Sequence, residues 1–380
     1  MRVLIVDTYY PRFLDEHYAG NALADAPYDE QLTALMDRSF GTSDVYSTEL
    51  RALGHEAWDV VVNAAPLQAA WARENGMRSV GLLAQAARMP TRAGLAARRA
   101  FQHRVALAQV QQHRPNVLYC QDLSFFSPRE LATIRARGTL VVGQIASPAP
   151  TEEVLRAYGL ICTSFPHFVE RFRSIGVATE YLPIGFDARV VDRLAARGVD
   201  CTNQGGRDID LSFIGSVNPH VHPARVALLE KLCRQRPIEI HGNGVDALPA
   251  DSPIREHFVD EAWGLNMYEL LARSRVTLNR HIDAAEGYAN NMRLYEATGA
   301  GAMLLTDSGS NLSEIFRDGE EVVVYGTVDD LLTTVDAYID DEPLRADLAR
   351  SGQARTLNEH DYSGVIGELA QILEARLPAS

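Results

Sequence analysis

The stretch that decides the reading runs from Glu286 to Asp307, EGYANNMRLYEATGAGAMLLTD. Gly287, Asn290 and Asn291 mark its start as a loop, a short helix carrying Arg293 and Glu296 follows, and a Gly turn leads into an apolar run, Ala302 to Thr306, suited to a buried strand. Loop, helix and buried strand in this order make one step of an alternating α/β chain. The loop delivers a helix N-terminus whose first N–H groups lack partners within the helix, a ready place for a phosphate. Arg293, one turn in, adds charge-assisted bonds to that phosphate, and Glu296 can accept hydrogen bonds from a pair of sugar hydroxyls. A nucleotide-linked ligand fits these parts. An ordinary loop–helix–strand unit with a solvated Arg293 and Glu296 fits them too, and this stretch alone leaves both readings open.

Outward from it, the same pattern repeats. Ile209 to Ile214 is a strand followed by the turn Gly215-Ser216, Ile238 to His241 is another followed by Gly242-Asn243-Gly244, and Arg275 to Asn279 ends in Arg280 and His281. Val322 to Tyr325 is a further strand, with helices from Val328 to Tyr338, Pro343 to Ser351 and Gly364 to Leu377. Ligands of such sheets gather at the carboxyl ends of the strands. Gly215, Ser216, His241, Gly242, Asn279, Arg280 and Thr306 are therefore expected to converge with the opening stretch on one crevice. The Gly215-Ser216 backbone can receive a phosphate there, with Arg225 on the next helix assisting. Asp208 and Asp210 form a DxD, a carboxylate pair able to hold a divalent cation. Here they bracket the entry to a buried strand, where solubilising and capping uses are commoner, and no metal is expected. His220 and His222 alternate in a loop without a third ligand and read as loop polarity.

The first half of the chain has a similar rhythm. Val3 to Asp7 is a continuous apolar run ending in a carboxylate, as a buried parallel strand does. Asp7, Tyr9 and Tyr10 then sit at a ligand-facing edge. No GxGxxG follows, which argues against an NAD-dependent oxidoreductase. Tyr28 to Leu53 reads as helix, turn, helix with Ser43 or Asp44 as N-cap. Ala57 to Val62, Val117 to Gln121, Leu140 to Ile145 and Gly159 to Thr163 are strands, a long helical region interrupted near Pro90 runs to His113, and helices cover Leu131 to Arg137 and Phe168 to Ser174. Gln121 and Asp122 fall at a strand end beside Asp7. The polar run from Asp192 to Arg207, with Gly205-Gly206, reads as a linker.

The 380 residues suit two α/β halves. The expected division is an N-terminal Rossmann-like domain over 1–190, a linker over 191–207, a second Rossmann-like domain over 208–360 and a C-terminal helix over 361–380 that packs back on the first domain. The formal charge of −14 argues against nucleic acid as a partner. No apolar run reaches the ~20 residues of a membrane span, and the opening apolar run is too short for a signal peptide, so a cytoplasmic protein is expected. Cys120, Cys162, Cys201 and Cys233 lack metal-site spacing and read as free buried thiols. Between Gly76 and Gln121 there is no Asp or Glu, while Arg78, Arg88, Arg92, Arg98, Arg99, Arg104 and Arg114 all fall there. That excess suits an anionic acceptor, a membrane surface or an acidic patch on another subunit; a solvated Arg-rich helix face explains it as well.

The run FIGS (213–216), HGN (241–243), LNRH (278–281), NNMRLYEATGAGAMLLTD (290–307) and FRDGEEVVVY (316–325) resembles the CgeB-like, spore-maturation group of glycosyltransferases, relatives of the family-4 enzymes of GT-B fold. The likeness holds from about 209 to 362. In the first half, Gly54-His55-Glu56 before a strand and LPIGFD ending at Asp187 are similar to the opening and the close of that half in many two-domain glycosyltransferases. The resemblance implies two Rossmann-like doubly wound domains facing a central cleft, with a nucleotide-sugar donor, UDP-, GDP- or dTDP-linked, and no other cofactor. It implies that Glu296 holds the ribose, that Arg293, Asn290 and Asn291 lie near the diphosphate, and that Gly215-Ser216 lies on its other side. Family-4 enzymes carry a second Glu eight positions before the ribose Glu, against the donor sugar; Tyr288 stands at that position here, two residues from Glu286.

Transfer from such a donor needs charge stabilisation on the leaving diphosphate and at an oxocarbenium-like centre. Arg225, Arg280 and Arg293 are the available cations. The resemblance implies a metal-independent, retaining course in which a leaving-group oxygen takes the acceptor proton; an inverting course needs a base, for which Asp7 or Asp122 is the candidate. The acceptor is expected against the first domain, near Tyr9, Tyr10, Tyr46, Asp122 and Gln144, with closure of the two domains excluding water. A non-catalytic nucleotide- or glycan-binding protein, or a sugar-nucleotide epimerase or phosphorylase, on the same fold are the alternatives.

Overall fold

The computed structural model describes every residue except 21, 78–82, 84–85, 88 and 379–380. The chain divides into two compact units, unit 1 comprising Met1–Leu182 and Ile366–Ser380 and unit 2 comprising Pro183–Val365.

Unit 1 is built on a sheet of β1 (Arg2–Asp7), β2 (Glu56–Val61), β3 (Val117–Cys120), β4 (Leu140–Ile145), β5 (Leu160–Thr163) and β6 (Thr179–Tyr181), in the order β2-β1-β3-β4-β5-β6. All pairings are parallel, with Val3 opposite both Ala57 and Val117. Helices cover both faces, so the central strands are apolar on both sides, and Val3, Leu4, Val117, Leu118, Val141, Val142, Leu160 and Ile161 are fully buried. The longest helix, Arg92–His113, starts at Thr91, whose hydroxyl accepts the Gly94 N–H, and ends at Arg114 in the left-handed region. Arg78 and Arg88 of the arginine-rich span lie outside the described residues.

Unit 2 repeats the plan with β7 (Ile209–Ile214), β8 (Glu239–His241), β9 (Phe258–Asp260), β10 (Ser274–Leu278), β11 (Met303–Asp307) and β12 (Val323–Tyr325), ordered β12-β11-β10-β7-β8-β9 and parallel throughout. The strand order reverses between β1 and β3 in unit 1 and between β7 and β10 in unit 2. At such switch points the crevice beyond the strand ends opens for a ligand.

Residues 191–207, read from sequence as a linker, are packed into unit 2. Helix Arg189–Ala196 buries Val190 and Leu194. Arg207 is buried, with its guanidinium donating to the carbonyls of Leu271, Ser274, Cys201 and Ala300. Four carbonyl acceptors make that burial affordable, although desolvation still pulls its pKa down to about 10. The closing helix, Tyr362–Glu374, runs from the end of unit 2 into unit 1, where Arg376 pairs with Glu180 and Glu374 lies 3.5 Å from His55. All four cysteines are free and buried. Among the described residues no helix is long and apolar enough to cross a membrane.

Candidate functional site

At the switch point of unit 2, the ladder between β7 and β8 continues past the strand ends. The Gly215 N–H donates to His241 O (2.8 Å) and the Val217 N–H to Asn243 O (2.8 Å). Of the Gly215-Ser216 backbone expected to receive a phosphate, the Gly215 N–H is therefore spent on the neighbouring loop, and Ser216 is left out of that ladder. The close approach depends on Gly242, whose φ is 143° and where a Cβ would lie 2.0 Å from Gly215 O. His241 contributes its carbonyl here. Its ring lies beside Glu239 (3.4 Å), in the wall of a separate 280 Å³ cavity formed with Asp260, Glu261 and Glu269. The alternation of β8 puts residues 239 and 241 on one face.

Arg225 is the centre of the site. Its two terminal nitrogens donate to Ser216 O (3.2 Å) and Arg280 O (3.1 Å), and its guanidinium lies over the Phe213 ring at 5.7 Å. Burial brings its pKa down to about 10, against the support of Asp307, with the positive charges of Arg280 and Arg293 also opposing it. It stays cationic at neutral pH. Asp307, at the end of β11, accepts the His281 N–H at 2.9 Å, and Tyr325 donates its hydroxyl to Asn279 O at 2.8 Å. His281 is buried, and desolvation lowers its pKa, so it is held neutral.

Asn291 joins this cluster to the helix Met292–Gly299. Its Oδ1 caps the helix by accepting the Leu294 N–H (3.2 Å), and its Nδ2 donates to Asn279 Oδ1 (2.7 Å). Asn279 in turn donates to the Thr306 hydroxyl (2.9 Å), which links the helix cap and the two strand ends as a chain. The Asn290 N–H faces His281 Nδ1 at 3.4 Å. One turn along, Arg293 pairs with Glu296 at 2.9 Å and lies 3.2 Å from the Met267 sulfur. Glu296 is buried; desolvation raises its pKa, partly countered by Arg293 and a hydrogen bond with Tyr268. The Nε–H groups of Arg225 and Arg293 are buried with no acceptor among the described residues.

The loop before the helix is tied down from outside the stretch. Ser310 N–H donates to Gly287 O (2.9 Å), while Asn311 accepts the Ala289 N–H (2.7 Å) and donates to Ala289 O (3.2 Å). Gly309 permits this, since a Cβ there would come within 2.3 Å of Ala289 N. Tyr288 is half-buried in that loop, and Glu286 is exposed with φ of 49°. Sequence reasoning placed His281 at the strand edge without giving it a role, and did not single out Gly309, Asn311 or Asp307 as site residues. The Gly-Ser-Asn cluster directly after β11 was the available signal for Gly309 and Asn311.

Asp208 and Asp210 sit at the opposite, amino end of β7, where each carries an arginine. Asp208 pairs with Arg273 (2.7 Å) and Asp210 with Arg275 (2.5 Å), which accounts for both carboxylates without a cation.

Unit 1 has its own switch-point site. Asp7 Oδ1 accepts the Thr8 N–H (2.7 Å), and Asp122 accepts from the Thr8 hydroxyl (3.0 Å) and the Ser124 N–H (2.8 Å). Burial, with added repulsion from Asp122 and Asp59, raises the Asp7 pKa to about 7. A 680 Å³ cavity at this edge is walled by Thr8, Tyr10, Arg98, Arg99, His103 and Asp122 among others. Tyr46, expected to meet an acceptor, is a core residue, 1% exposed, while Tyr9 is 2% exposed and yet contributes to the wall of this cavity. Tyr9 packs on Phe13 and Phe40, and Tyr46 on Tyr119, whose hydroxyl binds Gln144 at 2.8 Å. Tyr10 is 56% exposed.

Residues 225–371 match a family model described as glycosyl transferase-like. No curated protein matches the chain. Among solved structures, sucrose-phosphate synthase from Thermosynechococcus elongatus aligns with a TM-score of 0.59 at 10% identity, covering 98% of this chain and 99% of that one. Anabaena Alr3699/HepE, solved in complex with UDP and glucose, aligns at 0.55 and 13% identity over 99% and 100% of the two chains. AviGT4, a glycosyltransferase involved in avilamycin A biosynthesis, aligns at 0.56 and 16% identity over 98% and 97%. At these identities the likeness is one of fold, and with two parallel six-stranded Rossmann-like units the chain has the GT-B architecture of glycosyltransferases.

Proposed function

We propose that the chain is a glycosyltransferase that moves a sugar from a nucleotide-sugar donor bound at the switch point of unit 2. The observation that carries this is the gathering of Arg225, Arg280 and Arg293 at one sheet edge, beside a capped helix that holds the buried Glu296. Three guanidinium groups against Asp307 and Glu296 leave an excess of positive charge suited to a diphosphate. The unbonded Nε–H groups of Arg225 and Arg293 are donors whose burial is costly until an anion accepts them. Glu296 has hydrogen-bond acceptor capacity for a ribose diol beyond its Arg293 and Tyr268 contacts. The match of residues 225–371 to a glycosyl transferase-like model and the complexes of HepE with UDP and with UDP-glucose support a nucleotide sugar as donor.

In this reading the arginines hold the departing diphosphate and stabilise the charge that develops as the glycosidic bond breaks. The course is retaining and independent of metal, with the leaving phosphate oxygen taking the acceptor's proton. Asp7, with a pKa near neutrality, is the group suited to take that proton in an inverting course, and Asp122 is its neighbour. The CgeB-like resemblance of the second half fits this assignment. Tyr288, where family-4 enzymes place a carboxylate against the donor sugar, favours a second reading in which the chain binds nucleotide without turnover.

A thermal-shift panel of UDP, GDP, dTDP, CMP and ADP tests the donor site. A nucleotide at a hundred times its dissociation constant stabilises by ~2.7 kcal/mol, and a panel in which none raises the melting temperature would falsify the reading. Glu296→Ala is expected to weaken the binding nucleotide at least ~tenfold while the chain stays folded, by calorimetric titration and circular dichroism. Binding of UDP without consumption of any UDP-sugar selects the non-catalytic reading.

A further inference from the structure

Resting on the transferase reading, we propose that the cavity at the carboxyl edge of unit 1's sheet is the acceptor subsite, and that it takes an acceptor carrying a phosphate or carboxylate group, held by Arg98 and Arg99. The cavity lies at the β1/β3 switch point and encloses about 680 Å³, room for a sugar-sized group. Arg98 and Arg99 enter its wall from the helix Arg92–His113, with His103 one turn further on. This helix belongs to the span without a single Asp or Glu between residues 76 and 121, in a chain whose net charge is −14. A local excess of arginine against that background is placed at a concave site.

The acids nearby do not neutralise it. Arg98 donates only to the Ala87 carbonyl (3.2 Å), and neither Arg98 nor Arg99 has a carboxylate partner among the described residues. Glu130 is engaged by His103 at 2.8 Å and by Ser127. Asp122, the carboxylate in the wall, has each oxygen bonded within its own edge, to the Thr8 hydroxyl and the Ser124 N–H. The two guanidinium groups thus keep donors for an incoming anion, to which Arg binds in a fork geometry. At the same mouth, Tyr10 and Leu95 are 56% and 60% exposed, giving an apolar surface for the body of the acceptor.

The test titrates the full chain by calorimetry with glycerol 3-phosphate and with glucuronate, each beside its neutral counterpart, glycerol or glucose. At least one anion is expected to bind saturably below ~10 mM while its neutral counterpart does not. The double variant Arg98→Gln/Arg99→Gln is expected to weaken that binding at least ~tenfold and to leave UDP binding unchanged. Both substitutions lie on an exposed helix face and keep good helix formers, so folding is preserved. The two arms tell phosphate from carboxylate. Failure of both anions, or equal binding by the double variant, overturns the proposal. A chain that binds UDP but neither anion loses this acceptor assignment and keeps the donor site. A chain that binds the anion through these arginines but no nucleotide loses the transferase reading, and with it the assignment of this cavity to an acceptor.

Discussion

At the switch point of unit 1, Asp7 feels the negative charge of Asp122 and Asp59; at that of unit 2, Arg225 sits among Arg280, Arg293 and Asp307. Both edges arise from the same reversal of strand order in a parallel six-stranded sheet. The topology therefore supplies the crevice, and the residues immediately after the strands decide its charge. In unit 1 Asp7 and Asp122 come from the strand ends, Asp59 from within β2, and the cations from a helix flank. In unit 2 Arg280 lies two residues past the end of β10, and the acids beside the arginines are Asp307 and Glu296.

The sharpest way to break the parallel is at the unit 2 turn. Gly242→Ala would drive a Cβ into a backbone carbonyl at 2.0 Å in a conformation that disfavours any side chain, and no side-chain rotation relieves it. A loss of ~3 kcal/mol or more in unfolding free energy is expected from urea melts, together with loss of nucleotide binding. A normal melt would mean that the two turns are not locked together as described.

A smaller, opposite effect is expected in unit 1. Asp7 has an ordinary pKa of 3.8 when unfolded and about 7 when folded. Below pH 3.8 its burial as a neutral acid carries no ionisation penalty. As pH rises toward 7 the unfolded chain releases the proton first, and stability falls. Asp7→Asn keeps the acceptor for Thr8 and removes the charge. It is expected to gain ~1–3 kcal/mol at pH 8 and little at pH 4, by chemical denaturation at the two pH values. A gain independent of pH would show that ionisation of Asp7 is not what costs stability there.

The smallest effect should come from the far end of the unit 2 sheet. Asp208→Asn with Asp210→Asn removes two exposed ion pairs, worth at most ~1 kcal/mol each, and UDP titrations with and without EDTA should match those of the unaltered chain. A divalent-cation requirement that vanishes in this variant would return the DxD to the site.

Much of the framework was legible because buried parallel strands are continuous apolar runs. The bounds of β4 and β7 coincide with those read from periodicity, and the alternation with helices points to two doubly wound sheets. β9 escaped because it is a three-residue edge strand with Val259 and Asp260 exposed, so it carries no buried signature. At the sites, a strand end indicates where a backbone lies but not which way its side chain turns. His241 shows this most clearly, with its carbonyl serving the turn and its ring serving another cavity. Tyr9 shows the same limit, since an aromatic beside a strand end can pack into the core and still line a cleft. The clamp by Gly309 and Asn311 was hidden for a further reason: it joins positions about twenty residues apart, through one backbone bond and two bonds of the Asn311 side chain, and local spacing does not display such a pairing.

That clamp bears on the thermodynamics of ligand capture. Residues 287 and 289 are each bonded to the turn at 309–311, and Asn291 is fastened to both its helix and Asn279. In the proposed donor site, a loop already fixed at three points has little conformational entropy left to surrender when a ligand arrives. The penalty for ordering it falls on folding, so each contact the loop makes to a donor can register almost undiminished as affinity.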